Sequence, residues 1–201
     1  MKAGTMTQAV AKAIRADIAS VKVTVRTLVK AGYLTSGARG VNAPDMTALD
    51  AARVLATQLA REVPGYSAAA ILEPLEAKEC RMNPGGGSEP FSLEQLSGLE
   101  FPASFTDVLA ALIQTFAFEQ ESAAFKAVKD PSCEVGIQAG DTLSWWISMG
   151  PKGDTRTAMY SHTPFGRVGD QGQNLPPAPE TLRTIKTENI RVVADALAGR
   201  A

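Results

Sequence analysis

Lys22, Arg26 and Lys30 are spaced so that, on a helix, each cation stands one turn beyond the last. Lys12 and Arg15 precede them. Thr24 and Thr27 lie among them, and Arg39 follows in the stretch AGYLTSGARGVNAP, which holds three glycines. A row of charged donors of this kind does not abstract protons. Its chemistry is the neutralisation of an extended anion, with the threonine hydroxyls as neighbouring hydrogen-bond partners.

The overall charge of −1 hides how concentrated these cations are. Residues 1–61 hold nine Lys/Arg against three Asp/Glu, while residues 62–201 hold eleven against eighteen. A basic first third on an acidic remainder suits a protein that meets a polyanion with one end only.

No comparable constellation exists for catalysis. His162 is the single histidine, and a triad around it needs a Ser or Cys and an acid converging on it. Cys133 and Asp141 fall on the same expected sheet, yet their spacing does not demand that convergence. Cys80 and Cys133 are far apart and form no CxxC pair. The glycine-rich stretches NPGGGSEP and GDQGQN both lack the Gly-Lys-Ser/Thr ending of a phosphate loop. The expectation is therefore no enzyme and no cofactor. A histidine-rich metal site is excluded by count, and a carboxylate-only site stays open. With 45% hydrophobic residues among 201 the chain can bury a core, and no run of 18 apolar residues suggests a membrane span. The opening residues lack a signal-type apolar block, so the expected setting is a reducing cytoplasm.

These cations need elements to position them. Val10, Ala11 and Ile14 mark a first helix, with Thr7 as its expected N-cap. Asp17 is placed to cap a second, in which Ile18, Val21, Val25, Leu28 and Val29 form an apolar stripe opposite Lys22, Arg26 and Lys30. Gly32 is placed to end it. Thr47 with Asp50 matches a capping box ahead of a third helix striped by Ala51, Val54, Leu55, Gln58 and Leu59. Ser104 with Asp107 repeats the box before Phe105, Val108, Leu109, Leu112, Ile113 and Phe116, the strongest helical stripe in the chain. The period then drops to two in CEVGIQA, TLSWWISMG and TRTAMYSHT, which predicts three antiparallel strands. Trp145 and Trp146 must then take opposite faces. Thr187 is placed to cap a last helix striped by Ile190, Val193, Ala194 and Leu197.

The run TQAVAKAIRADIASVKVTVRTLVKAGYL resembles a helix-turn-helix, although the usual glycine of the turn is replaced by Arg15-Ala16-Asp17. With the following loop and capped helix it looks like the winged heads of phage- and mobile-element-type DNA-binding proteins, namely excisionase-like and MerR-like regulators and small terminase subunits. The resemblance covers residues 5 to 62. It implies a recognition helix in the major groove, a wing carrying Arg39 on the phosphate backbone or in the minor groove, and double-stranded DNA as partner.

The resulting expectation is an α+β protein: an all-α winged helix-turn-helix head at 1–63, a linker at 64–90, and an α+β body at 91–201 with a three-stranded meander packed on helices. The head is expected to fold alone, and the body to form a homodimer or higher oligomer. The expected DNA contacts are Lys12, Arg15, Lys22, Thr24, Arg26, Lys30 and Arg39. The expected role is transcriptional regulation, with DNA packaging and a basic protein-interaction module as alternatives.

Overall fold

The computed structural model describes residues 1–37, 43–61, 67–77, 81–83, 99–100, 103–119, 134–139, 143–149, 156–161 and 181–200. Helix α1, Ala3–Ile14, starts ahead of Thr7. That threonine is no N-cap: it is buried inside the helix, where its hydroxyl donates to the Ala3 carbonyl at 2.7 Å. Helix α2, Ile18–Lys30, starts where Asp17 accepts the Ser20 N–H at 3.1 Å. Such a cap contributes about 1 kcal/mol. Helix α3, Ala48–Leu59, opens on the Thr47–Asp50 capping box. Helix α4, Ala68–Leu75, falls inside the segment expected to be linker and buries Ile71, Leu72 and Leu75. Helix α5, Phe105–Phe118, opens on the Ser104–Asp107 box and buries its whole expected stripe. Helix α6, Thr187–Leu197, begins one residue earlier than expected. Thr187 is its first residue and not its cap, and Asn189 accepts the Lys186 N–H at 2.9 Å.

The strands are β1 (Arg81–Asn83), β2 (Glu134–Ala139), β3 (Leu143–Met149), β4 (Arg156–Ser161) and β5 (Thr181–Lys186). They form one antiparallel sheet in the order β1-β4-β3-β2-β5. Val135 lies opposite Ile185 and Ile137 opposite Arg183, and the two isoleucines and the valine are buried. Trp145 is registered with Tyr160 and Trp146 with Met159.

The expected fold class is overturned on two counts. Helices dominate the described residues, six of them, and the sheet is not a three-stranded body unit but a five-stranded one whose β5 runs directly into α6. Nor does a separate head stand apart from a body. Helix α1 packs on α6 and α3 packs on α5, so residues from Met6 to Ala194 share one core. The reason is arithmetic in the stripes. Ala51, Val54, Leu55 and Leu59 are all buried, and α1 and α2 alone leave α3 incompletely covered. Long-range polar bonds close the same seams. Asn189 donates to the Ala13 carbonyl at 2.7 Å, and Arg200 donates to the Phe116 and Ala117 carbonyls at the C-terminal end of α5, where a cation suits the helix dipole. Arg53 makes a forked pair with Glu76 at 3.1 and 2.7 Å and donates to the Tyr33 carbonyl at 2.6 Å. Thr106 donates to the same Glu76. This network joins the end of α2 to α3, α4 and α5. Among the described residues no helix is long and apolar enough to cross a membrane.

Candidate nucleic-acid interface

The link between α1 and α2 is decided at Arg15. Its backbone sits at φ 54°, ψ 37°, the one non-glycine residue with positive φ among those described. The Ala16 N–H reaches back to the Ala11 carbonyl at 2.9 Å and the Arg15 N–H to Lys12 at 3.4 Å, the paired bonds of a Schellman ending. The glycine missing from the sequence is thus replaced by an arginine that adopts the glycine conformation itself, at a cost of roughly 1–2 kcal/mol. Three residues separate α1 from α2, and Asp17 at once caps α2.

Helix α2 then has two faces. Val21, Val25 and Leu28 are buried against α1 and α3, while Lys22, Arg26 and Lys30 are exposed together. Val23, 54% exposed, lies among the cations. Ile18, expected in the apolar stripe, is 40% exposed instead, at the first position of the helix. Gly32 ends α2 as expected, at φ 82°, with the Tyr33 N–H on the Leu28 carbonyl at 3.0 Å.

Two expected contacts change. Thr24 is 3% exposed and its hydroxyl accepts from Gln58 Nε2 at 2.5 Å, so it ties α2 to α3 and does not face outward. The i, i+3 relation to Val21 and Thr27 did not reveal this, because a threonine fits either face until the partner amide is known. Arg39 lies outside the described residues, as do His162, Cys80, Cys133 and Asp141. The anchors on either side of Arg39 are described. The Thr35 N–H and hydroxyl both donate to Asp50 at 2.9 Å. Lys2 Nζ donates to the Ala43 carbonyl at 2.6 Å. A Cβ on Gly37 would meet Pro44 Cδ at 3.1 Å, so glycine permits that close approach.

Asp50 is the hub of this base. It is 2% exposed, and burial alone pushes its carboxyl up. Bonds from the Thr47 and Thr35 backbone and hydroxyls outweigh that and hold it below the usual carboxylate value.

Lys12 and Arg15 are exposed at the end of α1, next to a feature the sequence did not announce. A cleft of about 840 Å³ opens between the α1–α2 turn, the end of α3 and the β5–α6 junction. Arg15, Arg61, Arg183 and Lys186 line it, together with Asp17 and Glu188. Leu59, Ile185 and Gln58 are its buried floor. Arg183 is steadied by a bond to the Gln58 carbonyl at 3.4 Å. The missed signal is the alternation in TLRTIK, which puts Arg183 and Ile185 on one side of a strand. Among the described residues no group of His, Cys, Asp and Glu is placed to hold a metal ion.

No family model matches the chain, and neither a curated protein nor a solved structure matches it.

Proposed function

We propose that the protein binds duplex DNA through α2, as a regulator of the helix-turn-helix kind. The observation that supports this most is the segregation on α2. Lys22, Arg26 and Lys30 share the solvent face, while Val21, Val25 and Leu28 hold the opposite face to the core. A 13-residue helix is about 20 Å long, and a helix fits a major groove about 12 Å wide. Lys12 and Arg15 are exposed at the preceding turn, where phosphate would pass. Arg39 extends the reading as a backbone or minor-groove contact, and two chains would present two half-sites about one helical turn apart.

The test is fluorescence anisotropy of the full chain on labelled duplex across a salt series, with sites chosen by selection from random DNA. Log affinity is expected to fall linearly with log salt, with random duplex bound at roughly 10⁻⁴ to 10⁻⁶ M near physiological salt. Lys22→Ala and Arg26→Ala are expected to narrow the gap between selected and random DNA by about 1–3 kcal/mol where a base contact is lost. Arg39→Ala should weaken all duplexes alike and reduce the salt slope by about one. Light scattering on the bound complex reports whether two chains share a site. If all three substitutions leave affinity and slope unchanged, the reading is wrong.

A further inference from the structure

We infer that the cleft between the α1–α2 turn and the β5–α6 junction binds a small phosphorylated ligand. Four cations line it from three places in the chain: Arg15 from the turn, Arg61 from the end of α3, and Arg183 and Lys186 from β5. Two acids line it too, leaving a side-chain excess of two positive charges (four less two). One of these acids, Asp17, is engaged with the Ser20 N–H. The first turns of both α2 and α6 border the cleft, and helix N-termini add positive potential.

Three guanidiniums and an ammonium offer more donors than a planar carboxylate has oxygens. A tetrahedral, doubly charged phosphate uses them better. The volume of about 840 Å³ lies in the range of small-molecule sites, and Leu59 and Ile185 give it an apolar floor for the rest of the ligand. A duplex is too wide to enter such a concavity, so the cleft is not simply a continuation of the α2 surface. Because Arg15 serves both, an occupied cleft is expected to compete with DNA for that cation. This coupling rests on the proposed function, while anion binding itself does not.

The experiment is calorimetric titration of the full chain with inorganic pyrophosphate, with ionic strength held constant by sodium chloride. The expected result is saturable one-to-one binding. Arg61→Gln, on the exposed rim, and Arg183→Gln should each weaken it by at least about tenfold, the loss expected for one charge-assisted hydrogen bond. Lys22→Gln should leave it unchanged. Thermal midpoints of the variants identify any that fail to fold, and Arg61→Gln carries the test if Arg183→Gln is one of these. In the DNA assay, pyrophosphate should weaken duplex binding by the wild-type chain and not by Arg61→Gln. No saturable heat overturns the inference. So does binding that is indifferent to Arg61 and lost with Lys22, or pyrophosphate heat absent while Arg61→Gln impairs duplex binding as much as Lys22→Gln does. Pyrophosphate binding without any duplex binding upholds the cleft and removes the proposed function.

Discussion

Arg15 carries two demands that substitution separates. Its backbone needs a conformation in which glycine is comfortable, and its side chain offers a charge at the turn. Arg15→Gly is expected to raise stability to urea by about 0.5 kcal/mol, the relief of the left-handed conformation less the extra freedom glycine gives the unfolded chain. It should at the same time weaken duplex binding and lower the salt slope by about one. A destabilised Arg15→Gly would mean that the side chain's packing matters more than its φ. Thr24 makes the opposite case, a residue that looks like a reader and is a strut. Thr24→Ala leaves the buried Gln58 Nε2 without its Thr24 acceptor and is expected to cost about 1–3 kcal/mol in chemical denaturation. Base preference in the selection assay should not change. An altered preference without a loss of stability would restore Thr24 to the interface.

At the scale of elements, α3 is fixed in place by its own first turn. Asp50 completes the capping box with Thr47 and also receives both donors of Thr35, so one carboxylate stops α3 from fraying and holds the chain that follows α2. Its folded value is depressed below the unfolded value of about 3.9. The stability it contributes is therefore present above that pH and lost as pH falls through the lower, folded value. Asp50→Asn is expected to be about 1–3 kcal/mol less stable than the parent at pH 7. The gap should begin to shrink below about pH 4, where the unfolded chain's carboxyl takes up its proton, and close only below the lower, folded value. Urea midpoints measured from pH 7 down to pH 3 check this. A gap that does not change with pH would show that Asp50 acts by shape and not by charge.

For the molecule as a whole, the shared core sets what can be cut. Residues 1–63 contain α1, α2 and α3, but α3 buries Ala51, Val54, Leu55 and Leu59 partly through α5, and α1 leans on α6. Each large side chain uncovered costs about 1.5–3 kcal/mol, against a total stability of about 5–15 kcal/mol for an ordinary domain. The 1–63 fragment is therefore expected to lack a cooperative thermal transition by circular dichroism, while the full chain keeps one. A fragment that melts cooperatively and binds DNA like the whole chain would mean that the head is independent after all.

Local rules were legible in the sequence at most places where partners lie within a turn of each other, the Thr7 and Thr187 caps being the exceptions. The Asp17 cap, the Thr47–Asp50 and Ser104–Asp107 boxes, the Gly32 ending and the α5 stripe each involve residues three to five positions apart, and all are found in place. The exposed face of Lys22, Arg26 and Lys30 follows from the same periodicity. What the sequence did not determine depends on partners far along the chain. Thr24 turns inward because Gln58 is there to bond it. Arg15 takes positive φ because α1 and α2 must both reach the core within three residues. Strand β5 exists because β2 offers it an edge, and its arrival brings Arg183 and Lys186 beside Arg15 and Arg61. A periodic pattern records which face of an element is apolar; which element covers that face, and so which cations meet, is settled only when the faces compete for one core.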